Sequence, residues 1–392
     1  MKHWQETSRI LRLLPQFAEQ GRKAAIATVI RIEGSAYRRP GAKMLITDDG
    51  AILGSVSGGC LEADVREVAL SLIQNGVPRL LRYDTGTDYQ LPFGLGLGCN
   101  GSVEIFVQPV TSTSLLGTVP EVTRVLEKDD RFAVCTIVRG PRDVGRGVVV
   151  TTLGKVVGST GDKSLDQEIA ARASDILEGD GSEVQSFGTY EIFVDLQVPP
   201  PSLVVFGAGD DTRPLARCAI DVGFRVTVVD HRPAYLSADK YPPEVGLIEA
   251  RAKAAGSGRA DALLSDRADV AIPGVLLGPK TYAVVKTHSL EHDCNWVARL
   301  LATNVPYIGI LGPRTRTDEI LRELRRENDE RIFGPVGLNI GAEGPEQIAV
   351  SIVAELLAVV SSREPTHLRE KQGAIHAVEG AIHATEGGIR GG

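Results

Sequence analysis

One stretch of the chain, Leu203–Asp230, limits the possible folds more than any other. It begins with a short apolar run, continues with Gly207-Ala208-Gly209 and a helical pattern from about Thr212, and closes with a second apolar run that ends at Asp230. Short apolar runs predict buried strands, and glycines between a strand and a helix let a ligand approach the backbone. This order predicts a Rossmann-like domain with a parallel sheet, which we place at residues 203–362.

Three further apolar runs in this region end at glycine or polar positions. They lead to Thr287-His288, to Gly312-Pro313-Arg314 and, after a strand predicted at Pro335–Ile340, to Gly341. A parallel sheet binds its ligands outside the carboxyl ends of its strands, so these positions should meet at one cleft. The residues that we expect at its rim are Gly207, Gly209, Asp230, Arg232, His288 and Arg314.

The position of Asp230 suggests a nicotinamide dinucleotide. An acid at this distance from the first glycine would bind a ribose 2′-hydroxyl and favour NAD, while Arg232 keeps NADP open. However, Thr212 stands where a third glycine is expected, and Asp210 and Asp211 would repel a pyrophosphate at the helix start. An NAD-dependent oxidoreductase with His288 as its acid–base group is therefore one of three hypotheses. A binding factor and a purely regulatory or structural subunit are the other two.

The region before this domain contains an internal repeat. Glu104–Val107 (EIFV) recurs without change as Glu191–Val194. Copies at about 24–109 and 131–196 each predict strand, strand, strand, helix and strand. Since neither copy alone would bury much core, we expect them to form one α+β domain over residues 1–197.

A linker and a tail bound the second domain. The three consecutive prolines of residues 198–202 exclude a helix or a central strand, and predict a stiff linker. Residues 363–392 carry a seven-residue repeat with a glycine in each copy, which predicts a flexible tail. The repeated histidines, His376 and His383, would make a poor metal site because they are only two ligands.

The first copy of the larger repeat has features that the second copy lacks. It has extra residues in the stretch that Arg31, Arg38 and Arg39 flank, and with Lys43 these arginines could meet an anion such as a phosphate, a solvated face being the alternative. It also has an insertion that carries Cys99, and it has Cys60 where the second copy has Ser164. Residues that the fold itself requires should occur in both copies. Residues that occur in only one copy are therefore the better candidates for function.

Cys60 is the strongest of these candidates. It follows Gly58-Gly59 and directly precedes a predicted helix, Leu61–Gln74. The backbone N–H groups at a helix start favour an anion, so the pattern predicts a thiolate that acts as a nucleophile or as a ligand of sulfur or metal. A small apolar filler beside tight turns is the alternative. The predicted catalytic residues are Cys60, Cys99, Glu62 and His288, and the predicted cofactor-binding residues of this domain are Arg38, Arg39, Gly58 and Gly59.

Charge and cysteine usage exclude several classes of protein. The net charge of −7, without basic clusters, argues against nucleic-acid binding. No apolar run approaches the length of a membrane span. Five scattered cysteines without an export signal favour a cytoplasmic protein with free thiols. An apolar helix predicted at Pro345–Val360 and the repeat-built domain both offer faces for symmetric contact, so we predict a homodimer.

From the first helix to Val360 the chain resembles the xanthine dehydrogenase accessory family, XdhC/CoxI. The resemblance rests on the ordered stretches Gly34–Met44 (GSAYRRPGAKM), Gly54–Glu62 (GSVSGGCLE), Gly98–Pro109 (GCNGSVEIFVQP), Gly207–Gly209, Val229–Pro233 (VDHRP), Thr287-His288, Tyr307–Arg314 and Pro335–Glu355.

This resemblance implies a function that the composition does not. It implies a protein that binds the molybdenum cofactor, supports its sulfuration together with a sulfurase, and passes it to a xanthine dehydrogenase-type molybdoenzyme. Molybdopterin is an anionic, phosphorylated pterin, to which glycine loops, arginines and a thiol are suited. The Rossmann cleft would then hold the nucleotide of a dinucleotide form of the cofactor, or NAD(P).

Overall fold

The computed structural model describes residues 2–34, 37–84, 101–110, 119–127, 130–250, 275–326 and 329–370. It divides into two compact units, whose main bodies are Lys2–Pro199 and Pro200–Thr366. None of the described helices combines the length and the apolar character that a membrane crossing requires.

The first unit contains two five-stranded antiparallel sheets of the same topology. Their elements are, in chain order, α1 (Lys2–Glu19), β1 (Ala24–Gly34), β2 (Lys43–Thr47), β3 (Ile52–Gly54), α2 (Glu62–Asn75), β4 (Arg79–Asp84), β5 (Gly101–Pro109), α3 (Val119–Glu127), β6 (Phe132–Arg139), β7 (Gly147–Thr151), β8 (Val156–Gly158), α4 (Lys163–Ala171), α5 (Ala173–Glu178), β9 (Glu183–Phe187) and β10 (Tyr190–Gln197). The strand orders are β3-β2-β1-β5-β4 and β8-β7-β6-β10-β9. The identical orders reflect the internal repeat.

Each sheet has one strand that the sequence pattern did not predict. β4 and β9 follow the helices of their copies and pair antiparallel with β5 and β10 at one edge of each sheet. Most of their side chains are exposed or half-buried. An edge strand that is only partly buried has no continuous apolar run, so its signal in the sequence is weak.

Each sheet buries one face under the helices of its own copy. In the first copy α2 covers the sheet, with Val65, Ala69 and Leu72 packed against Val29 and Ile105. In the second copy α4 and α5 occupy the corresponding place. The loops that lead into α2 and α4 are therefore anchored at comparable positions.

The second unit is a six-stranded parallel sheet with helices on both faces, which confirms the predicted Rossmann-like fold. Its elements are β11 (Ser202–Phe206), α6 (Thr212–Asp221), β12 (Arg225–Asp230), β13 (Gly246–Glu249), β14 (Thr281–Val285), α7 (Leu290–Leu301), β15 (Tyr307–Ile310), α8 (Arg314–Glu323), β16 (Ile332–Phe333) and α9 (Gly344–Val360). Short 3-10 turns lie at Pro233–Tyr235 and Ala238–Lys240, and another at Leu368–Glu370 follows this unit. The strand order is β13-β12-β11-β14-β15-β16.

The helices change faces between the two central strands. Leu203 and Val205 of β11 lie in one core with residues of α6 and α9. Val204 and Phe206 lie in the opposite core with residues of α7 and α8. The connection after β11 thus covers one face and the connection after β14 the other, which creates a switch point at the carboxyl ends of these strands.

The prediction of a strand at Pro335–Ile340 is wrong. The last strand among the described residues is the two-residue β16, and the residues from Pro335 to Ile340 form bends and irregular backbone outside the sheet. Pro335 has no N–H to donate to a neighbouring strand, and Gly337 has a φ of 105°, a value incompatible with extended backbone.

Candidate functional site

The Cys60 thiol is exposed on a loop directly before α2. Of the described cysteines it is the one that is exposed. The helix begins at Glu62, so Cys60 precedes the N-cap residue Leu61 rather than lying within the helix. Gly59, beside it, has a φ of 113°, which favours glycine.

The N–H groups of this loop are already engaged by a side chain of the loop. The Ser57 hydroxyl accepts from the backbone N–H groups of Gly59, Cys60 and Leu61 at 3.1–3.2 Å. The expectation that the glycine loop cradles a phosphate through these N–H groups therefore does not fit the geometry. The group that the loop presents outward is the thiol.

Glu62 holds the same loop from the helix side. Its carboxylate accepts from the Ser55 hydroxyl and the Ser57 N–H at 2.8 Å each, and from the Ser57 hydroxyl. Burial acts to raise the pKa of Glu62, but the hydrogen bonds from Ser57 and Ser55 outweigh it, so the pKa lies below its usual range.

The second copy repeats this arrangement without the cysteine. Asp166 accepts from the Ser159 hydroxyl at 2.7 Å and from the N–H and hydroxyl of Thr160 at 2.9 and 2.6 Å. The acid is therefore a scaffold feature common to both copies. A catalytic role for Glu62 stays a prediction, whereas the exposed sulfur is specific to the first copy.

The stretch before β2 meets this loop through Tyr37. The Tyr37 ring is 81% exposed, and a Cβ placed on Gly58 would lie 3.6 Å from it. An exposed aromatic face thus lies beside the loop that carries Cys60. Cys99 lies outside the described residues, so a meeting of the two thiols stays a prediction.

Two of the predicted anion-binding side chains are engaged by the protein itself. Arg38 is largely buried and donates to the Glu6 carboxylate in α1. Lys43 is buried and donates to Asp195 at 2.5 Å and to the Gly41 carbonyl at 3.0 Å. Because each residue is paired with a carboxylate of the fold, the geometry does not favour a phosphate site at these two side chains, and a cofactor-binding role for them stays a prediction. Arg39 is half-buried in the same stretch.

In the second unit, Gly207 and Gly209 form the turn after β11, as expected. Gly207 has a φ of 115°, and a Cβ there would approach the Lys286 carbonyl oxygen to 2.4 Å. A Cβ on Gly209 would lie 2.7 Å from the Asp211 carboxylate. A larger residue at Gly207 would push the carboxyl ends of β11 and β14 apart, and one at Gly209 would displace the Asp211 side chain.

Asp230 lies at the end of β12, but its carboxylate is enclosed by donors of this chain. It accepts from the Ala208 N–H at 2.6 Å, from the Arg232 N–H at 2.9 Å, and twice from the Arg232 guanidinium at 2.9 Å. Burial acts to raise the pKa of Asp230, but the hydrogen bonds from Arg232 and Ala208 outweigh it and lower the pKa to about 2. Arg232 is held in turn over the Tyr235 ring at 4.0 Å.

This enclosure differs from what ribose binding requires. The Asp230 side chain is only 1% exposed, and Arg232 occupies the directions from which ribose hydroxyls would donate. The geometry makes Asp230 an anchor of the glycine turn and does not favour NAD or NADP.

The side chains that meet at the switch point include a lysine that the sequence reasoning missed. Lys286 is 2% exposed and donates to the Asp211 carboxylate at 2.6 Å and to the Thr212 hydroxyl at 2.7 Å. Burial lowers the pKa of Lys286, and the nearby carboxylate of Asp211 opposes this change. A lysine placed directly after the buried strand β14 was the signal available in the sequence.

His288 reaches the same carboxylate from outside. Its Nε2 lies 3.5 Å from Asp211 Oδ2, and its side chain is 63% exposed. Its φ of 61° is held by the preceding Thr287, whose N–H and hydroxyl donate to the buried Asp293. The structure places His288 next to Gly209, since a Cβ on Gly209 would lie 3.8 Å from its Nε2, and a functional role for His288 stays a prediction.

Arg314 is exposed at the first position of α8. The arginine that supports the His288 loop is instead Arg316, which donates to Asp293 at 2.6 and 3.0 Å.

Comparisons with known proteins cover both units. The XdhC and CoxI family model matches residues 17–84 and 125–188, and the XdhC Rossmann domain model matches residues 203–356. A probable xanthine dehydrogenase subunit of Bacillus subtilis (strain 168) is 33% identical over 351 residues, which are 88% of this chain and 96% of that protein. The molybdenum cofactor insertion chaperone PaoD of Escherichia coli (strain K12) is 34% identical over 107 residues, 27% of this chain and 33% of that protein.

A solved structure agrees with these relatives. A crystal structure from Bacillus halodurans, described as a xanthine dehydrogenase, has a TM-score of 0.68 and 30% identity, and the match covers 90% of this chain and 96% of that one. A relative of this identity is matched along nearly its whole length, and the two family models fall on the two units. This chain therefore belongs to the XdhC and CoxI family.

Proposed function

We propose that this chain is an accessory factor that binds the molybdenum cofactor and delivers it to a xanthine dehydrogenase-type molybdoenzyme. The names of two relatives support this, since one is a probable subunit of a xanthine dehydrogenase, whereas the other is a molybdenum cofactor insertion chaperone. The observation that carries the proposal is the exposed Cys60 thiol, held on a rigid loop at a helix start. In the second copy the residue that the sequence alignment matches to Cys60 is a serine, Ser164, which lies in the first turn of α4.

The residues around Cys60 fit one end of such a cargo. A thiolate is a soft ligand suited to a soft metal centre, and the exposed Tyr37 ring offers a flat surface beside it. When bound, the cofactor supplies the metal and sulfur chemistry, and Cys60 would hold it and release it. The phosphate end lacks an evident partner in the described part of this loop, where the N–H groups donate to Ser57. Support of sulfuration, with a sulfurase as partner, rests on the family resemblance alone.

The alternative function, an NAD-dependent oxidoreductase, is less well supported. It depends on Asp230 receiving a ribose, and Arg232 and Ala208 already donate to that carboxylate. No described contact of His288 favours hydride transfer over a binding role.

The decisive experiment replaces the sulfur of Cys60 by oxygen. We expect Cys60→Ser to retain the melting temperature of the wild type, because the side chain is exposed and the second copy carries serine at this position. The variant should lose most of the pterin that co-purifies with the protein and should reduce client activity by about tenfold or more, as expected for the loss of a metal ligand. Client activity in cells with the variant as sole copy and fluorescence of the released pterin are the two measurements.

Cys218→Ser is the matched control, because Cys218 is half-buried in α6 and lies in the other unit. It should leave pterin retention and client activity unchanged. Full client activity and pterin retention by Cys60→Ser would remove the thiol from the mechanism.

A further inference from the structure

A cavity of about 140 Å³ lies in the second unit between α6, α9 and the ends of β14 and β15. Its walls are mostly apolar, and two charged side chains, Asp211 and Lys286, share one side of it. The apolar lining residues are Leu215, Leu311, Pro345, Ile348, Ala349 and Ile352. A cavity of roughly 150 Å³ accommodates a benzene ring, so this one has the size of a single six-membered ring.

The charges at the cavity favour a neutral group over an anion. The Lys286 ammonium and the Asp211 carboxylate lie 2.6 Å apart and neutralise each other. A phosphate or carboxylate placed there would meet the Asp211 charge in an apolar surrounding, where repulsion is poorly screened. A neutral ring between the apolar walls avoids that cost.

The two charged groups also have hydrogen-bonding capacity to spare. An ammonium has three N–H donors, and the contacts of Lys286 with Asp211 and Thr212 use two of them. The carboxylate of Asp211 has a second oxygen, Oδ2, whose neighbour His288 stands 3.5 Å away. The cavity therefore presents one donor and one acceptor side by side.

We propose that this cavity binds the edge of a flat heterocycle that carries a carbonyl next to an N–H, with Lys286 donating to the carbonyl and Asp211 accepting from the N–H. A lactam or carboxamide edge has this pattern, and it occurs in pterins, in guanine and in nicotinamide. This inference deepens the proposed function, since a pterin is part of the cargo proposed above. The test below measures the binding of free ring compounds to the cavity, so a negative result would not contradict the role proposed for Cys60. A negative result of the Cys60→Ser experiment would likewise not contradict ring binding in the cavity.

The experiment titrates the full chain with fluorescent rings. We expect 6-hydroxymethylpterin to bind, and guanosine, measured by competition, to bind more tightly than 2-aminopurine riboside, which lacks the carbonyl and the neighbouring N–H. Competition of the bound pterin by guanosine monophosphate or by nicotinamide mononucleotide distinguishes the sources of the lactam or carboxamide group. Displacement by neither would assign the cavity to the pterin alone.

Variants locate the binding in the cavity. Ala349→Leu places a larger side chain in the cavity and should weaken pterin binding at least tenfold, whereas Val350→Leu, at a neighbouring exposed position, should change it less than twofold. Asp211→Asn should also weaken binding, whereas Asp210→Asn, on an exposed side chain outside the cavity, should not. Circular dichroism checks that each variant is folded.

Three outcomes would overturn the proposal. The first is that the wild type binds none of these rings. The second is equal affinity for guanosine and 2-aminopurine riboside. The third is unchanged pterin affinity in folded Ala349→Leu.

Discussion

The Asp230 carboxylate holds the glycine turn after β11 through hydrogen bonds within the chain. It joins the end of β12 to the glycine turn through Ala208 and is itself held by Arg232. A buried carboxylate with four donors is strongly favoured in its ionised form. The pKa of Asp230 is accordingly about 2, below the ordinary value of 3.8.

This difference makes part of the stability depend on pH. A group whose pKa is lower in the folded state stabilises the fold above its unfolded pKa and loses that contribution as the pH falls through its folded pKa. Because the pKa falls from 3.8 to about 2, the carboxylate should contribute about 2 kcal/mol that disappears between about pH 4 and pH 2.

Urea unfolding at pH 5 and at pH 3, in wild type and Asp230→Asn, measures this contribution. The wild type should lose more stability on acidification than the variant does. Equal losses in the two proteins would show that Asp230 does not have a lowered pKa.

At the scale of an element, the start of α6 depends on Thr212. Its hydroxyl donates to the Gly207 carbonyl at 2.7 Å and accepts from Lys286 at 2.7 Å. The residue is fully buried. Thr212 thus replaces the third glycine of a dinucleotide-binding turn with a side chain that links the turn, the helix and β14.

We expect Thr212→Ala to lower the free energy of unfolding by about 1–3 kcal/mol, because a buried carbonyl and a buried ammonium each lose a partner. Thr212→Ser keeps the hydroxyl and should cost less than half as much. Chemical denaturation of both variants is the measurement. If serine were as destabilising as alanine, the packing of the methyl group and not the hydroxyl would explain the effect.

At the scale of the whole molecule, the first unit is a pair of unequal copies joined by an ion pair. Lys43 of the first copy meets Asp195 of the second, and both are buried. By strand register, Lys43 of the first copy corresponds to Gly147 of the second, and Asp195 of the second copy corresponds to Gln108 of the first. The positions related to this ion pair by the repeat, Gly147 and Gln108, therefore carry no charge. The ion pair between Lys43 and Asp195 thus has no counterpart related to it by the internal repeat.

Lys43→Met should destabilise the protein by about 3–5 kcal/mol, because it leaves the Asp195 charge buried without its partner. The double variant Lys43→Met/Asp195→Asn removes both charges and should recover a large part of that loss. Thermal unfolding of the two variants tests this expectation. A double variant no more stable than the single one would mean that the ion pair is not the source of the effect.

The homodimer stays a prediction, to be tested by light scattering.

Much of this architecture could be predicted from local patterns along the chain. The internal repeat is visible as stretches that recur in the sequence, and the glycine turn after β11 and the buried strands of the parallel sheet are indicated by short apolar runs with glycines between them. The edge strands β4 and β9 were missed because half-exposed strands lack such a pattern. The apolar run from Pro335 to Ile340 was wrongly predicted as a strand, because proline has no N–H to donate to a neighbouring strand.

The partners of the charged side chains, in contrast, were decided only by the tertiary structure. Asp230 and Lys43 were expected to meet ligands, and each is paired within the fold. Lys286 was not singled out, although it lies beside Asp211 at the switch point. Which charges meet depends on which strands become neighbours and on how far each side chain is buried, and residues 75 or 152 positions apart carry no local sign of that pairing.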